Sequence, residues 1–459
     1  MNTCVIRFSF QLALIVCLGL ILADWATAQS FTILHNFSGY PNDGDSPYAS
    51  LTLSGNTLYG TTESGGSSPP GLGTVFKINT DGNGYTVLND FSNANHVAFG
   101  QKPRAGLTVS GGKLYGTASQ GGGASSGTVF KVNTDGTSLT VIKDFISSVD
   151  GGTPYCDLTL SGSTLYGTTH SGGTAGFGNV FKVNTDGSGY TVLKNFTNSP
   201  DGADPYAGLT LSGNTLYGTT HNGGNSSGHG TVFKINTDGS GYTVLRKFEN
   251  SFDGHLPFAG LTLSGTDLYG TTEAAGTFGN TFGTVFKINT NGSGYTVLKS
   301  FTNIEGVDPR AGVTISGNTL YGTTHQGGSS GFGTVFKINT DGSGFTVLKN
   351  FTGSPDGANP QAALTISGTT LYGTTLNGGS FNLGAVFSLS LAPPLKITLS
   401  GMNVVLTWPT NWSGFTLQST TNLAPSAWFA VAPLPVVVSG QNAVTNPISR
   451  AQQFYRLSQ

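Results

Sequence analysis

One segment is written seven times along this chain, and part of its last copy is stored at the opposite end. The clearest copy runs from Asp204-Pro205-Tyr206-Ala207-Gly208-Leu209-Thr210-Leu211-Ser212-Gly213-Asn214-Thr215-Leu216-Tyr217-Gly218-Thr219-Thr220, through a Gly223-Gly224 loop, to Gly230-Thr231-Val232-Phe233-Lys234-Ile235-Asn236-Thr237-Asp238-Gly239-Ser240-Gly241-Tyr242-Thr243-Val244-Leu245. Its Leu-Tyr-Gly tyrosine recurs as Tyr59, Tyr115, Tyr166, Tyr217, Tyr269, Tyr321 and Tyr372, which by subtraction are 56, 51, 51, 52, 52 and 51 residues apart. The seventh copy stops after Ala385-Val386-Phe387-Ser388-Leu389, without a Tyr-Thr-Val-Leu strand. That strand stands before the first copy instead, as Phe31-Thr32-Ile33-Leu34-His35-Asn36-Phe37. An array whose missing last strand comes from its own N-terminus is expected to close into a ring, because closure removes the open sheet edge.

Each complete copy holds four short strand-like runs, A to D, with period-2 alternation. In the clearest copy these are Leu209–Leu211, Thr215–Thr220, Thr231–Asn236 and Tyr242–Leu245. Gly213-Asn214 suits a two-residue hairpin turn between A and B, and Asp238-Gly239-Ser240-Gly241 turns the chain from C to D. No run is long enough at a 3.6-residue period for a helix. Glycine is 70 of 459 residues, roughly twice the usual share, but it sits at fixed places between strands, which is turn chemistry rather than disorder. A single four-stranded unit buries too little apolar surface to stand alone, whereas stacked units bury both faces. The expected fold is all-β: a seven-bladed β-propeller over residues 29–391, closed by the N-terminal strand. An open β-solenoid would leave the displaced strand unexplained.

The segments Leu-Tyr-Gly-Thr-Thr-x-x-Gly-Gly and Gly-Thr-Val-Phe-Lys-Ile-Asn-Thr-Asp-Gly-x-Gly-Tyr-Thr-Val-Leu resemble the GloVer tandem repeat of secreted bacterial proteins, over about residues 31–390. The resemblance implies secretion and a surface role, and brings no catalytic residues with it. Kelch repeats are a looser likeness: their strand B also ends in a Gly doublet, but the Trp of their strand D is absent here.

Residues 1–28 read as a secretory signal peptide, with Arg7 as the charged start, an apolar run from Phe8 to Ala23 and Ala26-Thr27-Ala28 as the cleavage site. Cys4 and Cys17 fall within it, so the mature chain keeps Cys156 alone and forms no internal disulfide. Cys156 stands where the clearest copy has Ala207, which points to packing of one small residue for another. After an Ala392-Pro393-Pro394 linker, residues 395–459 hold no copy of the repeat. Strand-like runs at 395–399, 403–408, 414–418, 428–431 and 453–457, with Trp408, Trp428 and a terminal Tyr455-Arg456-Leu457, look like a small fibronectin-III-like or immunoglobulin-like sandwich. No terminal apolar span and no sortase signal follows, so the mature chain is expected to carry no membrane anchor.

The A–B and C–D turns are nearly the same in every copy, while the D–A and B–C loops differ. In an up-and-down blade those two loop types share one face, and a face that varies between blades can hold an asymmetric site. Three sets of varying positions lie there. The residue after the strand-A proline is Tyr48, Arg104, Tyr155, Tyr206, Phe258, Arg310 or Gln361. The residue after strand B is Glu63, Ser119, His170, His221, Glu273, His325 or Leu376. The residue before the strand-C glycine is Leu72, Ser126, Phe177, His229, Phe282, Phe332 or Leu383. With strand A innermost, the first set would rim a central channel. Its aromatic planes with Arg and Gln suit sugar rings or peptide side chains, although the same rings could simply cap the blade interfaces.

His170, His221 and His325 occupy matching places in separate repeats, which is too far apart for metal ligands near 2 Å from one point. Hydrogen bonding within loops is the expectation for them, and no cofactor or metal is assigned. The Asp-Gly pairs Asp150-Gly151, Asp201-Gly202, Asp253-Gly254 and Asp356-Gly357 lack the alternating oxygen ligands of a calcium loop and read as turns. Asn36, Asn195 and Asn350 each begin a glycosylation sequon, but at one repeat position, so copying of the repeat explains them. With a net charge of -2 and only 9% charged residues, there is no footprint for nucleic acid. The sequence therefore reads as a secreted, monomeric, non-enzymatic propeller that binds an extracellular carbohydrate or protein. A structural surface component is the alternative. A propeller enzyme ranks third, since Glu63 and Glu273, four repeats apart, cannot form the close carboxylate pair of a glycosidase.

Overall fold

The computed structural model describes residues 30–458 apart from 68, 70, 92–98, 250–251, 276–281, 392–394, 411–414, 422–426 and 448–452. The expected signal peptide and linker lie outside the described residues. Strands dominate, and the one helix among the described residues is the four-residue turn Ser147–Asp150 in a D–A loop. No described helix is long and apolar enough to cross a membrane.

In the clearest copy, strands B and C span Thr215–Thr220 and Thr231–Asn236 as the alternation predicts. Strand A is Thr210–Ser212, one residue later than expected, and strand D continues to Lys247. Ser212 pairs with Thr215, which leaves Gly213-Asn214 as a two-residue turn. Gly213 takes φ +55°, a conformation that favours glycine at the first turn position. The C–D pairing slips between Val232 and Phe233, and a bulge of this kind strengthens strand twist. The other repeats follow the same order, A-B-C-D, in separate four-stranded sheets. The sheet of the last repeat is completed by Phe31–Asn36, which takes the strand-D place beside Ala385–Ser390.

Alternation explains why strands B and C of the repeats are buried on both faces. Leu216 packs with Tyr166, Val180 and Phe196 of the preceding repeat, while its neighbour Tyr217 packs with Phe248, Leu261 and Phe286 towards the next. Burying each such ring is worth about 1.5–3 kcal/mol. Gly218 lies between them because a Cβ there would come within 2.6 Å of the Phe233 ring. The same kind of cluster joins Phe37, Tyr372 and Val386 to Leu51, Leu58, Phe76 and Ile78 of the first repeat.

Two threonine bonds recur between neighbouring repeats. Thr210 Oγ1 donates to Leu261 O, and Thr219 Oγ1 donates to Ala259 O at 2.9 Å. The same bonds join the last repeat to the first, from Thr365 to Leu51 O and from Thr374 to Ala49 O.

The Asp-Gly pairs do more than turn the chain. Asp201 pairs with Lys194 of the preceding strand D and accepts from the Thr197 hydroxyl at 2.5 Å. The Lys194 ammonium lies 4.7 Å from the ring centre of Tyr242, whose hydroxyl donates to Asp201 O at 2.6 Å. Asp150, Asp253 and Asp356 pair likewise with Lys143, Arg246 and Lys349. In the N-terminal strand His35 takes the cation's place: its Nε2 is 3.1 Å from Asp43, and its ring stacks 3.5 Å from Tyr85. The sequon asparagines brace the Gly-Gly loops, with Asn36, Asn195 and Asn350 accepting from Ser380, Thr174 and Ser329 N–H groups.

By contact the chain divides into two compact units, the larger being Ile33–Ile366 with Tyr372–Ser388. The smaller contains the C-terminal segment, built of two sheets. One orders Lys396–Ser400, Asn403–Pro409, Gln441–Pro447 and Val436–Val438; the other orders Phe429–Ala430, Thr416–Thr420 and Phe454–Ser458. Val404, Leu406, Trp408, Leu417, Val444 and Tyr455 form their shared core. The strands Val436–Val438 and Gln441–Pro447 lie outside the expected runs, because they carry no aromatic residue and little alternation.

Candidate functional site

The three varying sets are stitched together by the residue that precedes each strand-A proline. Ser46, Lys102, Thr153, Asp204, Leu256, Asp308 and Asn359 all take φ between +53° and +60°. A non-glycine residue held there costs on the order of 1–3 kcal/mol and persists only where its surroundings fix it. Here two backbone bonds fix it. Leu256 N–H donates to His229 O of the preceding repeat at 3.0 Å, and Leu256 O accepts from Glu273 N–H at 3.1 Å. The pattern also spans last and first repeats, with Ser46 N–H on Leu383 O at 3.1 Å and Glu63 N–H on Ser46 O at 3.1 Å. Each pre-proline residue thus ties a third-set carbonyl to a second-set amide and aims the first-set side chain that follows.

Tyr48, Arg104, Tyr155, Tyr206, Phe258, Arg310 and Gln361 line one cavity of about 500 Å³, together with strand-A residues. Their planes are largely occupied by one another. Tyr155 stacks on Tyr206 at 5.4 Å and 12°, and Tyr206 stacks on Phe258 at 4.5 Å and 23°. The Arg104 guanidinium lies 4.7 Å from the Tyr48 ring centre and 5.2 Å from that of Tyr155, while Arg310 lies 5.9 Å from Phe258. The arc therefore offers ring edges, hydroxyls and guanidinium groups to the cavity rather than open aromatic faces. Burial holds the Tyr48 and Tyr206 hydroxyls above the usual tyrosine range, so they remain neutral donors.

The second set backs the first. Arg104 of the second repeat pairs with Glu63 of the first. Arg310 of the sixth pairs with Glu273 of the fifth at 3.0 Å and with Asp308 beside it at 3.0 Å. His221 Nε2 is 3.2 Å from Glu273, and the His170 ring lies 4.3 Å from that of Tyr206. Burial and the nearby Glu273 charge push Asp308 up to about 6 against the pull of Arg310. Burial would raise Glu273 too, but the His221 bond and the Arg310 charge bring it below the usual range. His325, buried beside Arg310, is pushed down to about 4 and stays neutral at pH 7. The Nδ1 atoms of His170, His221 and His325 are buried without a hydrogen-bond partner among the described residues. No three His, Cys, Asp or Glu side chains converge as metal ligands among the described residues.

Two features escaped the sequence reading. Glu273 does have a carboxylate neighbour, Asp308, because the pre-proline position was not counted among the varying ones. The other is Asp157. Two residues after the first-set position, four repeats have Gly106, Gly208, Gly260 and Gly312, two have Ser50 and Ala363, and the third has Asp157. The narrowness of the strand-A layer explains the glycines: a Cβ on Gly208 would come within 2.5 Å of Asp157 O. Asp157 opens onto the cavity and accepts from Gly106 N–H at 2.5 Å. A charged residue at a position otherwise small was the available signal.

The sequence matches the Gloeobacter/Verrucomicrobia repeat model over residues 22–223, 95–282 and 277–404. The chain belongs to that family. No curated protein matches it. Among solved structures, this repeat protein is similar to an oligogalacturonate lyase from Vibrio parahaemolyticus at 12% identity and TM-score 0.51, covering 84% of this chain and 97% of the lyase. It is similar to a GH74 enzyme of Niastella koreensis at 16% identity and TM-score 0.50, covering 83% of this chain and 59% of the enzyme. At such identities the likeness shows the fold alone, a repeat β-propeller-like architecture on which unrelated functions are built.

Proposed function

We propose that this is a secreted, non-enzymatic binding protein whose repeat sheets close into a seven-bladed ring and whose variable face takes an extracellular carbohydrate or protein ligand. Closure is supported by the threonine bonds, the apolar cluster and the pre-proline bonds that recur between the last repeat and the first. On this reading the cavity is the mouth of the central channel. The observation that carries the binding function is that the differing residues of all the repeats, Tyr48 to Gln361, line one cavity. Its volume lies within the ~300–1,000 Å³ of small-ligand sites. Residues 1–28 serve as the secretory signal, and residues 395–459 form a fibronectin-like module on a monomeric chain.

A glycan-array screen of the mature protein, repeated with Tyr155→Ala and Tyr206→Ala, tests the reading. Binding that weakens in both variants supports it. Binding indifferent to both, or none to any glycan or extracellular protein, overturns it.

A propeller enzyme is the second reading, favoured by the contact between Glu273 and Asp308 with one carboxyl raised to about 6, as proton transfer near neutral pH requires. Both carboxylates are engaged by Arg310, and the binding reading accounts for them as braces of that side chain. Release of unsaturated or reducing ends from polysaccharide, lost in Glu273→Gln, would reverse the order.

A further inference from the structure

The charges around the cavity do not balance. Arg104 is matched by Glu63, and Arg310 by Glu273 and Asp308. Asp157 accepts one bond, from a backbone N–H, and no cationic side chain pairs with it among the described residues. Both guanidinium charges are thus paired, and the charge left open to the cavity is negative. Tyr155, two residues earlier on the segment that leads into strand A, lines the same cavity as Asp157. A carboxylate open to a cavity and without a cationic partner is a group that recognises an ammonium.

Resting on the reading of this cavity as a ligand site, we infer that its ligand is an amino sugar, held through its primary ammonium by the Asp157 carboxylate at the foot of Tyr155. Neutral sugars would leave the carboxylate without a charged partner. Uronic acids would bring a second negative charge against it while both arginines are occupied. Asp157 is exposed within the cavity, so its carboxylate is accessible to an ammonium ligand. The volume admits one or two pyranose rings, whose hydroxyls meet the tyrosine hydroxyls and the edges of the stacked arc.

Titration calorimetry on the whole mature protein separates the possibilities, using β-1,4-linked glucosamine disaccharide, its N-acetylated counterpart, a galacturonate disaccharide and a short lysine peptide. The free amine is expected to bind about tenfold more tightly than the acetylated sugar, the scale of one charge-assisted bond. Asp157→Asn, which keeps the acceptor for Gly106, should bring that ratio to about one. Asp157→Gly, the residue of four other repeats, should do the same. Equal binding of both sugars by the wild type, or a preference that survives both substitutions, overturns the inference while leaving the cavity a sugar site. Tighter binding of galacturonate or of the lysine peptide also overturns it. Absence of binding by every probe, in protein that melts normally, counts against the cavity reading itself.

Discussion

The Thr365 hydroxyl donates to the carbonyl of Leu51, 314 residues earlier in the chain. Thr314 makes the same bond to Leu364, only 50 residues later. The two bonds match because the junction between last and first repeats is built like the junctions inside the array. On the proposed ring closure, the N-terminal strand Phe31–Asn36 should carry a large share of the stability.

Phe37 is fully buried between Phe76 and the last repeat. Phe37→Ala should cost about 3–5 kcal/mol, in the range of buried Phe truncations, and removal of residues 30–37 should cost more. Thermal unfolding of the two variants checks this; an unchanged melting temperature for the deletion would refute ring closure.

His35 fills a place held by Lys143, Lys194 and Lys349 elsewhere, against Asp43 and Tyr85. His35→Lys should therefore preserve stability, while His35→Ala should lower it. Burial acts to raise Asp43, yet bonds from His35, Tyr85 and Ser38 hold it at about 2. A depressed carboxyl contributes stability above its unfolded value near ~4 that is lost as pH falls towards about 2. Asp43→Asn should flatten the acid limb of the stability curve by about 1 kcal/mol, after discounting for solvent screening. Urea titrations between pH 2 and 7 would show it.

Asp308 has the opposite sign. Its folded carboxyl, raised to about 6 by burial and Glu273, retains its proton where the unfolded chain has lost it. Its contribution therefore falls as pH rises from ~4 to about 6. Asparagine tolerates the positive φ, as Asn359 does at the matching place. Relative to wild type, Asp308→Asn should gain about 1 kcal/mol across that window. A difference that does not change with pH would contradict the assignment.

Cys156 is fully buried, and burial pushes its thiol up to about 11. The native protein should resist thiol reagents at pH 8 and react only on unfolding. Cys156→Ala, matching Ala207, should change stability by less than ~1 kcal/mol. Rapid labelling of the folded protein would overturn this.

The repeat alone reveals the sheets, because alternation and turn chemistry are local. Strands B and C begin and end at Thr215–Thr220 and Thr231–Asn236 as their pattern requires, and the stray strand at Phe31 finds its place by default. The varying positions were legible too, since departures from a repeat stand out against it. What those side chains touch was not. Arg104 meets Glu63 across 41 residues, and Arg310 meets Glu273 across 37; such partners depend on how one sheet leans against the next. The same packing turns the aromatic planes onto one another, joins Glu273 to Asp308, and leaves Asp157 open where six other repeats have a small residue. Local preference sets the strands; the packing of neighbouring sheets sets which charges are matched and which one is left open to the cavity.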